Sequence, residues 1–124
     1  MPTNSDEIKT SGISQWLAKT PVAIGADQND YGGTDDCTFA RLSADAAWNI
    51  TGLANGVDGR LLILINVGAN AITVTHQDAA SAVANRVITA GGSGQYMAQD
   101  AALVLIYDAT TARWRQLSEA LLPP

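Results

Sequence analysis

Charge is scarce in this sequence. Only 15% of the 124 residues are Asp, Glu, Lys or Arg, against roughly 25% in an ordinary globular chain. Part of the surface is therefore expected to be covered, most simply by further copies of the chain. Basic residues are the scarcest: seven, scattered singly, against twelve acids, for a net charge of −5. No basic patch or stripe can follow a phosphate backbone, which excludes a nucleic-acid partner. The single cysteine, Cys37, excludes an internal disulfide and a cysteine-built zinc site, and it fits assembly in a reducing cytoplasm. With one histidine, His76, and no nucleophile elbow, there is no Ser-His or Cys-His set to assemble. Unbroken apolar stretches such as LLILI at 61–65 fall far short of the roughly 20 residues that span a bilayer. The first twenty residues carry acids where an export signal needs bases. Neither membrane crossing nor signal-directed export is expected.

What the chain has in abundance is short strands divided by turn residues. Strands are predicted at 37–42, 46–51, 60–67, 71–77, 86–89, 95–98, 102–107 and 113–117, a spacing of sandwiches, jelly rolls and small barrels. Gly68-Ala69-Asn70 and the DATTA stretch at 108–112 each read as a hairpin connection, DAASAVAN at 78–85 as a single helical turn, and AGGSGQ at 90–95 as a loop tip. Within AITVTHQ, Ile72 and Val74 alternate with Thr73 and Thr75, as in a strand with one wet face. RLLILINV and AALVLIYD are nearly unbroken apolar runs, expected to be buried on both faces. A chain this short has little material to cover them, a second sign of a homo-oligomer.

The amino-terminal part differs. Ile13, Trp16 and Leu17 recur at helical spacing, which predicts a short helix between Thr3 and Thr20, closed by Pro21. Three apolar side chains on a polar segment suit docking to a partner or a neighbouring subunit. Residues 25–36 form a Gly-, Asp- and Asn-rich loop, and residues 1–45 hold seven acids against three bases, a charge suited to solvent or to a basic partner surface. The division expected is an anchoring arm with its acidic loop over 1–36, then a β domain over 37–124.

Each chemical candidate has a structural alternative. Gly52, Gly56 and Gly59 resemble a phosphate loop only in spacing. They precede a strand and lead into no helix, so turns are the better reading. Asp27, Asn29, Asp30, Asp35 and Asp36 are hard oxygen donors, but Tyr31 and Thr38 break the spacing of a helix-loop-helix calcium site; an irregular calcium site stays open. No metal site or cofactor is otherwise expected. His76 follows the apolar face of its strand and reads as structural. Adjacent Asp35 and Asp36 diverge in an extended chain, and no catalytic spacing of carboxylates is visible, so an enzyme is not expected. Leu62, Leu64, Trp48, Tyr107 and Trp114 read as core or subunit-interface residues. Ser93, Gln95 and Tyr96, at the Gly-rich tip, are the candidates for a glycan-binding loop.

Ile50-Thr51-Gly52, Gly59-Arg60, Ile65-Asn66-Val67-Gly68, Ile72-Thr73, His76-Gln77, Ala84-Asn85-Arg86, Tyr107-Asp108 and Arg113-Trp114-Arg115, in that order and spacing, resemble a β-domain module of tailed-phage virion proteins. The resemblance covers about residues 49–117. It implies a compact all-β domain, a small jelly roll or β-sandwich with a short amino-terminal arm or helix, assembled as a homotrimer in a capsid decoration protein, tail fibre or tail spike. On that basis the expected function is a capsid decoration (cement) protein. It would be assembled in the bacterial cytoplasm and sit on the capsid surface, binding the major capsid protein through Ile13, Trp16, Leu17, Asp27 and Asp30. Leu62, Leu64, Trp48, Tyr107 and Trp114 would form its trimer interface or core. The alternative is the receptor-binding knob of a short tail fibre, recognising host surface polysaccharide.

Overall fold

A computed structural model describes residues 17–118. The described residues form nine strands: β1 (Ala18–Lys19), β2 (Phe39–Leu42), β3 (Trp48–Ile50), β4 (Leu61–Asn66), β5 (Ile72–Val74), β6 (Val87–Ile88), β7 (Gln95–Met97), β8 (Ala102–Asp108) and β9 (Arg113–Gln116). They form a six-stranded sheet in the order β1-β2-β4-β8-β9-β6 and a three-stranded sheet in the order β3-β5-β7. The eight strands expected from alternation are all present, as β2 to β9, with tighter bounds except in β8, which runs one residue further, to Asp108. The 78–85 stretch contains the expected single turn, a 3₁₀ turn at Val83–Asn85. An all-β fold of two sheets is thus established.

From β2 to β7 the chain steps from one sheet to the other with each successive strand, so neighbours within a sheet come from successive coils. Four of the seven strand pairs are parallel (β1/β2, β2/β4, β3/β5 and β6/β9) and three antiparallel (β4/β8, β5/β7 and β8/β9). Residues 108–112 do form a hairpin between β8 and β9. Gly68-Ala69-Asn70 does not: it is a corner that carries the chain out of β4 in the larger sheet into β5 in the smaller one. The organiser is Asn66, fully buried, whose Nδ2 donates to the carbonyls of Asn70 (2.8 Å) and Met97 (2.9 Å) while its Oδ1 accepts from Gly68 N–H (3.0 Å).

The amino-terminal region also departs from expectation. Ile13, Trp16 and most of the proposed helix lie outside the described residues, but Leu17 to Thr20 are extended rather than helical. Leu17 C=O accepts from both Thr38 and Phe39 N–H (2.8 and 3.1 Å), and Pro21 disfavours helical geometry at Thr20. Residues 24–31 then run parallel to 44–53 through bridges at Ile24/Ala44, Gln28/Ile50 and Tyr31/Leu53. Ile24 and Tyr31 enter the core. The stretch 17–36 is therefore stitched into the β domain, and no structural boundary falls at residue 36.

One core lies between the sheets. The larger sheet contributes Ala40, Leu42, Leu62, Leu64, Val87, Leu103, Leu105, Tyr107 and Trp114, the smaller one Ile50, Ile72, Val74 and Met97. Tyr107 and Trp114 meet edge to face at 5.2 Å. Both polar tips are satisfied, Tyr107 Oη donating to Ala84 C=O (2.8 Å) and Trp114 Nε1 to Leu53 C=O (2.9 Å), as large amphipathic rings require when buried. A Cβ at Gly56 would come within 2.1 Å of the Tyr107 ring, so this glycine serves close packing. Gly59, at φ 83°, makes the turn into β4.

Candidate functional site

Within the single chain β4 and β8 bury one face each, and the other is the face expected to take its cover from neighbouring subunits. Along β4, Leu62, Leu64 and Asn66 are buried while Leu61, Ile63 and Ile65 are only partly buried; along β8, Leu103, Leu105 and Tyr107 are buried while Val104 and Ile106 are only partly buried. The inward set fills the core. The outward set makes an apolar face that nothing in the described chain covers.

Registry shows how continuous this face is. Partners across a ladder point to the same side of a sheet. Phe39, Ile63 and Val104 form one row across β2, β4 and β8; Leu61, Ile106, Arg115 and Ile88 form the next across β4, β8, β9 and β6. Leu117, exposed, donates its N–H to Val104 C=O at 2.9 Å and extends the first row. Charge enters this face at two arginines, Arg41 on β2 and Arg115 within the second row. Arg41 lies over the Phe39 ring at 5.1 Å, and Arg115 Nε bonds Asp108 Oδ2 at 2.8 Å. Asp108 also accepts from Thr111 Oγ1 and Thr110 N–H. The Arg115 hydrogen bond, followed by that from Thr111, holds the Asp108 carboxyl below its ordinary pKa of 3.8.

The acidic loop is tied down rather than presented. Asp27 Oδ1 accepts from Asn49 N–H (2.8 Å). Asp30 Oδ1 accepts from Asn85 Nδ2 (2.9 Å) and Ala82 N–H (2.8 Å), bonds that lower its pKa, Asn85 most. Both carboxylates, expected at a partner surface, thus have structural roles. Among the described residues no three His, Cys, Asp or Glu side chains converge as a metal site.

Arg60 holds the far end of that loop. Its Nη2 donates to the carbonyls of Thr34 and Cys37 (2.5 and 3.0 Å) while its guanidinium lies 5.5 Å from the centre of the Trp114 ring. Burial pushes the Cys37 thiol pKa upward against the opposing charge of Arg60. A cleft of about 360 Å³, lined by Lys19, Pro21, Val22, Ile24, Gln28 and Tyr31, opens beside β1. Lys19 in this outer strand and Pro21 just after it are the kind of residues that blunt a sheet edge against strand addition.

No family model, curated protein or solved structure matches the chain. What the site can do must come from its own geometry. Of the residues singled out from sequence, Leu62, Leu64, Tyr107 and Trp114 belong to the core; Trp48 packs on its margin and donates Nε1–H to Asp45 Oδ1 (2.7 Å). Leu17 is exposed. His76 is structural: its Nδ1 accepts from Thr89 N–H at 3.1 Å. The proposed glycan loop divides, with Gln95 turned towards Ala90 and Gln116, Ser93 at the exposed tip, and Tyr96 standing out at 72% exposure. Sequence reasoning marked the second faces of β4 and β8 but not how registry joins Phe39 and Ile88 to Ile63, Ile65, Val104 and Ile106 on one surface. The signal was present in the unbroken apolar runs, whose second face needed a cover from outside the chain.

Proposed function

We propose that this chain is a non-enzymatic capsid decoration protein of a tailed bacteriophage, a small β-sandwich that assembles as a homotrimer in the host cytoplasm and seats on the major capsid protein. The observation that carries the reading is the apolar outer face of the six-stranded sheet. A contiguous apolar surface of this kind marks an interaction site, and a chain with so few charges gains most by covering it with copies of itself. Three copies arranged about an axis, with these faces turned inward, would bury Phe39, Leu61, Ile63, Val104 and Ile106 and leave the smaller sheet outward. Capsid seating is drawn from the resemblance of residues 49–117 to virion modules, with Ile13 and Trp16 as anchors.

The work of such a protein is mechanical. It binds a surface that exists only in the assembled shell, so binding stabilises the shell by linkage. The test is to add the purified chain separately to undecorated capsids and to host cells. Saturable binding to capsids, with increased resistance of the shell to heat, is expected; binding to cells but not capsids would replace this reading with a tail-fibre knob. Removing residues 1–16 should abolish capsid binding while preserving the trimer, because the described sheet begins only at β1.

A further inference from the structure

The outer face of the smaller sheet differs in kind from that of the larger. Trp48, Ile72 and Met97 are in register and point inward, so the next triplet, Asn49, Thr73 and Tyr96, points outward as one row across β3, β5 and β7. Tyr96 is 72% exposed. At the other end of the row, Asp27 Oδ1 takes the Asn49 main-chain N–H, and Oδ2 has no hydrogen-bond partner among the described residues. The side chains of Asn49, Thr73 and Tyr96 have no hydrogen-bond partner among the described residues. Gly94 borders the row: a Cβ there would sit 3.2 Å from Thr73 Cγ2.

We infer that this row is a binding site for a neutral oligosaccharide. The chemistry fits on three counts. An exposed aromatic ring offers the flat apolar surface on which the C–H face of a pyranose stacks, with a polar tip at its edge. Beside it stand a hydroxyl, an amide and a carboxylate oxygen, a mixed set of donors and acceptors matched to sugar hydroxyls. At a strand spacing of about 4.8 Å, the row from Tyr96 to the Asp27 strand spans about 14 Å, enough for a short oligomer rather than a single ring. Charge decides which class. Residues 24–31, β3, β5 and β7 contain no Lys or Arg, and the one ionised group of the row is a carboxylate. An anionic polysaccharide meets repulsion there and no compensating cation. The site goes beyond shell stabilisation: it lies opposite the apolar face, so a trimer closed through the larger sheets presents it outward.

The test is ligand titration of the full chain by NMR with four neutral probes, maltotetraose, cellotetraose, mannotetraose and chitotetraose, and tetragalacturonate as the anionic one. At least one neutral tetrasaccharide should bind with a millimolar or tighter Kd. Tyr96→Ala should weaken it about tenfold or more, Tyr96→Phe should keep it within about threefold, and Asn49→Ala or Thr73→Ala should each weaken it about threefold. Thermal unfolding of Tyr96→Ala should match that of the parent, since the ring is exposed. The assignment is overturned if no neutral probe binds at about 10 mM, if Tyr96→Ala binds as the parent does, or if tetragalacturonate binds more tightly than all four neutral probes.

Discussion

Asn66 is fully buried, and both ends of its side-chain amide are used: two carbonyls accept from its Nδ2 and one main-chain N–H donates to its Oδ1. A carboxylate of nearly the same shape keeps the acceptor and loses both donors. Asn66→Asp is therefore expected to lower unfolding free energy by about 3 kcal/mol, since buried carbonyls left without partners cost about 1–3 kcal/mol each. Urea denaturation measures it, and a change below about 0.5 kcal/mol would remove Asn66 from its organising role. Gly56 makes the opposite kind of demand, for space. Gly56→Ala drives a methyl into the Tyr107 ring and is expected to cost about 2–4 kcal/mol by overpacking, read from the same denaturation curves.

Titration effects also belong to single residues. The carboxyls of Asp30 and Asp108 are both held below their ordinary 3.8. Each therefore contributes stability that is fully present above that value and is lost as pH falls through the folded-state pKa. Melting temperature is expected to drop on acidification below about pH 4. The drop should be shallower in Asp108→Asn, which removes one titrating group. An identical slope in parent and variant would show that the Arg115 and Thr111 bonds do not couple to folding. At the alkaline end, burial raises the pKa values of Cys37 and Tyr31, so stability falls again as pH rises through 9 and 10, where the unfolded chain ionises first.

At the scale of elements, the two faces of β4 separate folding from assembly. Ile63 is only partly buried and points away from the core, so Ile63→Glu or Ile106→Glu should leave monomer stability within about 1 kcal/mol while preventing self-association. Leu62→Ala, on the inner face, should do the reverse, costing about 2–5 kcal/mol as a buried cavity. Circular dichroism melts with sedimentation velocity separate the two, and equal destabilisation by both kinds of variant would contradict the assignment of faces. Strand positions were legible because period-two alternation is local. β1 was not, because its partner among the described residues, β2, lies about 20 residues away and its own two residues, between Leu17 and Thr20, carry no alternation. The Gly68–Asn70 corner was misread because Gly and Asn suit a hairpin and a corner equally; the difference lies in Asn66, whose reach to Met97 no local pattern reveals. Periodicity marked the second faces of β4 and β8 as apolar without showing what covers them. The oligosaccharide row was half visible. Tyr96 stood out by its place beside a loop, whereas Asn49 and Thr73 join it only through registry.

For the whole molecule, the larger sheet sets the economy of the fold. Its inner face fills a single core, and its outer face presents Phe39, Leu61, Ile63, Val104 and Ile106. The smaller sheet, with its polar outward row, is left free for a different partner. That two-sided arrangement suits a subunit held to its copies on one side and exposed on the other. Mass in solution tests it most directly. Light scattering on the purified full chain is expected to give three times 12.9 kDa, falling to one chain in Ile63→Glu with the melting temperature retained. A parent that stays at 12.9 kDa across the concentration range would contradict it.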